Sequence, residues 1–299
     1  MVGYGSIGAR HNRLLTELGC HTEVVSDHEV SGPVVHRDLG VAVESARPDY
    51  VVIANATNKH WESLSTLAAT GYTGTVLVEK PVFPRAMPIP PHRFRRAFVG
   101  YNLRFNPVVQ RLKAALADQR VVSAHAHVGS YLPEWRPTTD YRQSYSASAK
   151  RGGGVLRDLS HELDYLTWIL GRWLRVSAVG GHLSHLEIDS DDVFALMFAT
   201  ERAPIVTIQL TYLDRIGHRF IIVNTEDHTI EADLINGTMR VDGETETFVS
   251  QRDDSYRAMH QAALRGDLDT LCDLDHAIET VRLVEASEKA AAHGSWVEH

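Results

Sequence analysis

The sequence predicts two domains: an α/β domain built on a parallel sheet, then an α+β domain with a large, open, mostly antiparallel sheet. Three observations carry this. Short apolar strands alternate with helical stretches over the first hundred residues, a GxGxxG loop opens that region, and longer strands of alternating polarity follow residue 120. A chain of 299 residues is long enough for two such domains, and 43 % hydrophobic content suffices for sizeable cores.

The elements follow in order. A helical pattern from Ile7 to Leu18 stops at Gly19, a residue suited to a helix C-terminus. His21 to Ser26 alternates toward Val24 and Val25 and reads as a strand. Val51 to Ala54 (VVIA) is a buried-strand run, 60–70 a helix closed by Gly71, and Thr75 to Val78 (TVLV) another short strand. Pro81 to Pro91 holds five of the eleven prolines and reads as a connection. Ala97 to Tyr101 is a strand and 107–117 a helix. Beyond them strands are expected at 121–130, 174–183, 191–199, 204–213 and 218–224, with shorter ones near 228–234 and 238–248. One helix, 155–170, interrupts them, and two more, 253–265 and 273–292, close the chain. The change of texture sets the domains at 1–104 and 105–299, with the C-terminal helix able to pack back on the first.

Composition narrows the function. The net charge is −8, from 38 acidic and 30 basic residues, and Arg93, Arg95 and Arg96 form the one short basic cluster, which argues against a nucleic-acid binder. Cys20 and Cys272 are too few and too far apart for a disulfide framework or a zinc site. His125 and His127 share a strand face, but no third ligand is evident, so no metal is expected. No apolar run reaches the ~18 residues of a membrane span, and no signal peptide opens the chain; a cytoplasmic location is expected.

Gly3, Gly5 and Gly8 form the GxGxxG of a Rossmann domain. The first glycine permits a tight turn, the second lets backbone approach a pyrophosphate, and the third lets the helix pack on its strand. The helix N-terminus then offers free N–H groups and a positive dipole end to phosphates. Asp27, 19 residues after Gly8, stands where a carboxylate accepts bonds from ribose hydroxyls. NAD or NADP is therefore the expected cofactor. Asp27 leans toward NAD, while His28 and Arg37 nearby keep NADP open. Only Met1 and Val2 precede Gly3, although such a loop ordinarily follows a full central strand. Either the true start lies upstream or the first strand is stunted.

Lys80 follows the strand TVLV, at the carboxyl end where parallel sheets bind ligands, and its ammonium can stabilise charge developing on a substrate oxygen. Farther on, GGGVLRDLSHE (152–162) opens a helix. Asp158 and His161 are three apart and so share a face, Asp164 lies three beyond His161, and an Asp–His pair suits proton transfer. Residues 131–150 form a long stretch without periodicity that carries Trp135, Arg136, Tyr141 and Arg142. Rings there can stack on a sugar face, and the arginines can pair with a carboxylate or phosphate. A surface arm packing on a neighbouring subunit is the other reading.

GYGSIGARH, VVIANATNKH, VEKPV, VGYNLRFNP and GGGVLRDLSHELDYLTWILG, in this order and spanning most of the chain, resemble the glucose–fructose oxidoreductase / inositol dehydrogenase / MocA (Gfo/Idh/MocA) family. The resemblance implies an NAD(P)-dependent oxidoreductase that moves hydride to or from a carbinol or carbonyl carbon of a sugar, inositol or sugar derivative. It implies that Lys80 is catalytic, that Asp158 is the family's aspartate at the start of the second-domain helix, and that Asn102 and Arg104 lie beside substrate; His161 is expected to join them in catalysis, and Trp135, Arg136 and Tyr141 of the aperiodic stretch to contact substrate. The dinucleotide set then comprises Gly3, Gly5, Ser6, Ile7, Gly8, Asp27, Asn55, Thr57, His60, Glu79 and Lys80. One departure stands out. Many relatives carry the histidine four residues after the aspartate, where this chain has Glu162. His161 comes one residue earlier, a shift of ~100° on a helix, so Glu162 competes for the proton-transfer role. A non-catalytic dinucleotide-dependent sensor on the same fold is the alternative function. Along 191–199 both strand faces are apolar, and the domain has few helices to cover them. A homodimer or homotetramer through the second-domain sheet is the expected assembly.

Overall fold

The computed structural model describes Met1–His299, and the chain divides into two compact units. The first unit comprises Met1–Phe105 and Arg252–Val281, the second Asn106–Gln251 and Arg282–His299. The expected cut at 104/105 lies one residue from the first boundary. Residues 252–281, which the sequence reading gave to the second domain, cluster with the first instead.

In the first unit α1 (Ser6–Glu17) leads to β1 (Glu23–Val25), β2 (Val34–His36), α2 (Leu39–Ala46), β3 (Tyr50–Ile53), α3 (His60–Ala69), β4 (Thr75–Val78) and β5 (Arg96–Val99). β1 pairs in parallel with β2, and β3, β4 and β5 pair in parallel in sequence order. Val2 joins the two halves. It bridges Val25 on one side and Ile53 on the other, its N–H donates to the Val52 carbonyl at 2.8 Å, and its own carbonyl accepts from Ala54 N–H at 2.8 Å. One residue thus occupies the central strand position.

The VVIA and TVLV runs are buried on both faces, as a central parallel sheet requires. Val51, Ile53, Val76 and Val78 pack with Leu64 and Leu67 of α3. Each of those leucines is fully buried and contributes roughly 1.5–3 kcal/mol of transfer free energy. Val52, Leu77 and Phe98 pack on the opposite side with Leu15 of α1. The strand β2 and helix α2 were not foreseen, and no helix forms between Pro81 and Arg95.

The second unit contains α4 (Pro107–Ala115), β6 (Val121–Gly129), α5 (Val155–Asp158), α6 (His161–Leu170), β7 (Trp173–Gly181), β8 (Val193–Thr200), β9 (Ile205–Thr211), β10 (His218–Thr225), β11 (Thr229–Asp233), β12 (Thr238–Val241) and β13 (Glu244–Thr247). The chain then closes with α7 (Asp254–Arg265), β14 (Cys272–Asp273), α8 (Leu274–His293) and β15 (Val297–Glu298). Met259, Ala262 and Ala263 of α7 complete the Leu15 cluster of the first unit, and Ala277, Ile278 and Val281 of α8 join the Leu64 cluster. This packing is why residues 252–281 leave the second unit.

The second-unit sheet has nine strands in the order β13-β12-β11-β10-β6-β9-β8-β7-β15, and only β6 and β9 run parallel. One face buries Ala124, Ala126 and Val128 of β6, Phe194, Leu196 and Phe198 of β8, and Val206, Ile208 and Leu210 of β9. The opposite face, with Ala195 and Met197 of β8, Val179 of β7 and Gln209 of β9, stays exposed. The expected 238–248 strand is a hairpin, turned at Asp242 and Gly243, both at positive φ. The expected 155–170 helix is broken: Leu159 (φ −99°, ψ 27°) leaves helical geometry and α6 starts anew after Ser160. Asp158 and His161 therefore lie on two different helices, and the shared-face spacing argument does not apply to them.

Candidate active site

In the first unit the glycine loop is shaped by close approach. A Cβ on Gly3 would come within 2.6 Å of the Asn55 backbone, and one on Gly8 within 2.3 Å of the Gly3 carbonyl oxygen, so neither position admits a side chain. Gly5 differs: a Cβ there meets nothing within 4 Å. Gly5 is the N-cap of α1, no side chain caps it, and no acidic residue occupies the first turn, where Ser6 and Ile7 stand. The helix thus presents uncapped N–H groups beside open space, which suits a phosphate. Beside the loop, Asn55 Nδ2 donates to Ser63 Oγ at 2.8 Å, while Asn55 Oδ1 is buried with no hydrogen-bond partner. These features fit a dinucleotide. Asp27 is exposed just past β1, and Arg37 donates to the Ser26 carbonyl at 2.9 Å. Thr57 is buried at the start of a short 3₁₀ turn.

His60 and Glu79 have other work. The His60 ring nitrogens lie 3.1 Å from the Val82 and Asn55 carbonyl oxygens, and burial holds its pKa down. The neutral ring can donate to one of them at a time and braces the two segments together. Glu79 is buried. Its Oε1 accepts from His11 Nε2 at 2.8 Å and its Oε2 from the Lys80 backbone N–H at 3.1 Å. Both side chains are committed to hydrogen bonds within the protein. Behind Glu79, His11 Nδ1 meets His260 Nε2 at 2.8 Å, and His260 Nδ1 meets the Tyr50 hydroxyl at 3.1 Å. Burial, with His11 adding to it, pushes the His260 pKa down to about 3. Lys80 is half-buried at the carboxyl end of β4.

Asn102 and Arg104 sit in a short 3₁₀ turn and are buried. Asn102 Nδ2 donates to Ser255 Oγ at 2.7 Å, and Arg104 reaches the Leu271 carbonyl at 3.4 Å. These bonds tie the turn to the returning C-terminal segment, a role the sequence did not suggest. A cavity of about 360 Å³ also lies in this unit, lined by Met1, Glu23, Pro48 and Tyr50 among others. Its lining carries Glu23, which pairs with His36 at 2.6 Å and lies 3.6 Å from His21.

In the second unit, α5 is anchored by the Asp191 carboxylate, which accepts from Leu156 N–H at 2.9 Å. Asp158 Oδ2 accepts from the Tyr212 hydroxyl at 2.7 Å. Burial first, and Asp158 second, push the Tyr212 pKa well up, so the phenol stays protonated and donates. Trp135 packs edge-on against the Tyr212 ring, 5.1 Å between centroids, and its Nε1 donates to Ser130 Oγ at 2.7 Å. The 131–150 segment is thereby tied to Asp158 through Tyr212. His161 opens α6 and is 9 % exposed. Its competitor Glu162 is fully buried, lies 2.9 Å from the Arg219 guanidinium and accepts from the Tyr165 hydroxyl at 3.1 Å. A carboxylate held in an ion pair with a permanent cation is a poor proton carrier. Asp164 is buried one turn on.

Residues 131–150 contain three 3₁₀ turns and no longer helix or strand. Arg136 is exposed. Arg142 pairs with Asp140 at 2.9 Å and Glu187 at 3.0 Å. The Tyr141 hydroxyl accepts from Glu187 N–H at 3.2 Å. Sequence reading missed Tyr212, Arg219, His11 and His260. Each is distant in sequence from its partner, and none falls in a motif with the residue it serves.

The model of the GFO/IDH/MocA C-terminal domain family matches residues 109–231. Over 206 residues, 60 % of its length, the chain is 28 % identical to an inositol 2-dehydrogenase of Acidothermus cellulolyticus, and over 138 residues 27 % identical to one of Rhizobium meliloti. The matched stretches span 56 % and 39 % of those relatives. Among solved structures, GenD2 from gentamicin A biosynthesis, in complex with NAD, superposes with a TM-score of 0.83 at 22 % identity, covering 100 % of this chain and 95 % of that one. Levoglucosan dehydrogenase in complex with NADH and L-sorbose gives 0.84 at 13 % identity, covering 99 % and 97 %. The WlbA dehydrogenase of Bordetella pertussis, in complex with NADH and UDP-GlcNAcA, gives 0.80 at 19 %, covering 100 % and 96 %. The fold is therefore that of a Rossmann domain followed by an open-sheet α+β domain. The family model that matches residues 109–231 is the one the motifs resemble.

Proposed function

We propose that this chain is an NAD(P)-dependent oxidoreductase acting on a carbinol or carbonyl carbon of a sugar, an inositol or a sugar derivative. The observation that carries the reading is Gly5: an uncapped helix N-terminus opening on free space, beside the unpartnered Asn55 Oδ1. The likeness to inositol 2-dehydrogenases supports the substrate class. Gly3, Gly5, Ser6, Ile7 and Gly8 hold the pyrophosphate through backbone, and Asn55 and Thr57 flank it. Asp27 accepts from the ribose hydroxyls and disfavours a 2′-phosphate, so NAD is the preferred form. The bound nicotinamide supplies the hydride acceptor or donor. Lys80 holds the reacting oxygen and stabilises negative charge on it. His161 takes or returns the hydroxyl proton, and Asp158, held by the Tyr212 hydroxyl, orients that group. Trp135, Arg136 and Tyr141 offer ring and cation contacts to the sugar. The β8–β7 end of the open sheet face, with Met197 45 % and Val179 74 % exposed, is assigned to pairing between identical subunits. Two free cysteines agree with a reducing cytoplasm.

Gly5→Val separates binding from folding, because its side chain enters open space while Gly8→Val strikes backbone. NADH fluorescence titration of Gly5→Val is expected to show no saturable binding with an unchanged melting temperature. Wild-type affinity in that variant rejects the site. With binding established, Lys80→Ala is expected to reduce kcat by about 10²–10³ while leaving NADH affinity near the parent's.

A further inference from the structure

Away from these residues, three ligand-bearing side chains converge on the open face of the second-unit sheet. His127 of β6 points Nε2 at Asp214 Oδ2, 2.7 Å away, and His218 at the start of β10 points Nδ1 at the same oxygen, 2.9 Å away. All three donor atoms lie within 4.8 Å of one another. The sheet register explains the convergence. β6 and β10 are antiparallel neighbours, with Phe220 opposite His127 and His218 opposite Gly129, so the two histidines lie diagonally on one face. Asp214, in the connection after β9, leans over Gly129. A Cβ there would come within 2.3 Å of Asp214 Oδ2, so glycine makes the room the carboxylate occupies. Phe220 stacks on the His127 ring at 5.5 Å and 11°, which limits its orientation. Burial is the largest single influence on Asp214 and raises its pKa, but the bonds and charges of both histidines together outweigh it and hold the pKa below the usual range.

We propose that His127, Asp214 and His218 form a site for a divalent transition ion of the zinc class, with water completing the coordination. Two imidazole nitrogens and one carboxylate oxygen are a donor set that zinc takes in tetrahedral sites with one open position. Ligand atoms ~2.1 Å from a shared tetrahedral ion stand about 3.4 Å apart. The donors that now touch need to separate by about 0.6 Å, within the reach of side-chain torsions at half-exposed positions. The ion replaces the two histidine N–H···carboxylate contacts: each neutral imidazole adopts its other tautomer, the proton passing through solvent to the second ring nitrogen as the metal–nitrogen bond forms. His125, two residues earlier on the same face, is not part of the set; its Nδ1 is 2.9 Å from Thr207 Oγ1. The site stands independently of the proposed dehydrogenase activity.

The test uses untagged full-length protein stripped with chelator and titrated with Co²⁺. One equivalent per chain should produce a visible ligand-field band of tetrahedral intensity, displaced by Zn²⁺. Asp214→Asn and His218→Gln should each weaken binding at least tenfold, with unchanged melting temperature in the absence of metal. The wild-type protein gives a second readout that needs no variant: Zn²⁺ should protect His127 and His218, and not His125, from diethyl pyrocarbonate in peptide mapping. Absence of a saturable one-equivalent band, a band that survives both substitutions, or protection at other histidines instead overturns the proposal.

Discussion

Each unit carries one buried glutamate next to a residue proposed to act on substrate, and the two are held differently. Glu79, just before Lys80, leans on His11, which continues to His260 and Tyr50. Glu162, just after His161, faces Arg219 and Tyr165. A guanidinium stays charged at every pH the protein meets, whereas an imidazole gains charge as the pH falls. The first glutamate therefore sits on a chain that senses acid, and the second on one that does not. Glu162, the residue that competes with His161 for the proton-transfer role, is committed to Arg219 and Tyr165 at the start of α6.

The sharpest way to break this contrast is Arg219→Met. It leaves a fully buried carboxylate without its guanidinium, and removing one partner of a buried pair costs about 3–5 kcal/mol. Urea denaturation at pH 7 should show a loss of that size, mostly restored by the double variant Arg219→Met/Glu162→Gln. A loss under 1 kcal/mol means the ion pair does not hold α6.

The second test is acid. His260 folds with its pKa at about 3 against an ordinary 6.5. The unfolded chain thus binds a proton that the folded chain refuses. The contribution is present above pH 6.5 and is lost as pH falls from there toward 3, about 2–3 kcal/mol of it by pH 4.5. His260→Gln should flatten this part of the stability-versus-pH curve, while Arg219→Met keeps it. Parallel curves for parent and His260→Gln place the acid sensitivity elsewhere.

Sequence reading fared differently in the two halves for physical reasons. VVIA and TVLV are buried on both faces, so continuous apolar runs announced them, and the glycine loop follows from steric contacts seen at Gly3 and Gly8. The strand β2 and helix α2 escaped because Val34–His36 is three residues long, largely unburied, and follows Gly32 and Pro33. In the second unit the alternation at β8 was legible, but its meaning was not: Ala195 and Met197 face outward although apolar. The break at Leu159 and Ser160 has no glycine or proline to mark it, so Asp158 and His161 looked like neighbours on one helix. The Lys80 and Asp158 positions came from motif resemblance, while their supports, Tyr212 and the His11–His260 pair, depend on contacts tens to hundreds of residues apart that local periodicity does not encode.

The smallest effect belongs to the far end of the acid-sensing chain. Glu79 Oε1 accepts, so His11 Nε2 carries a proton. With one proton on each ring, His11 Nδ1 accepts from His260 Nε2–H, and His260 Nδ1 accepts from the Tyr50 hydroxyl. Burial chiefly, with smaller contributions that include Glu79, pushes the Tyr50 pKa well up, so its proton is available to donate. Tyr50→Phe removes only this terminal donor and leaves a neutral imidazole nitrogen buried, at a cost of about 1 kcal/mol. It should also weaken the preference for the Nε2–H tautomer of His260. Imidazole ¹⁵N shifts report that directly: the parent should show an unprotonated Nδ1 on His260 at pH 7, and Tyr50→Phe a mixture. A parent spectrum with Nδ1 protonated reverses the direction of the whole chain and makes Tyr50 the acceptor. In that case His11 carries two protons, and Glu79 faces a cation as Glu162 does.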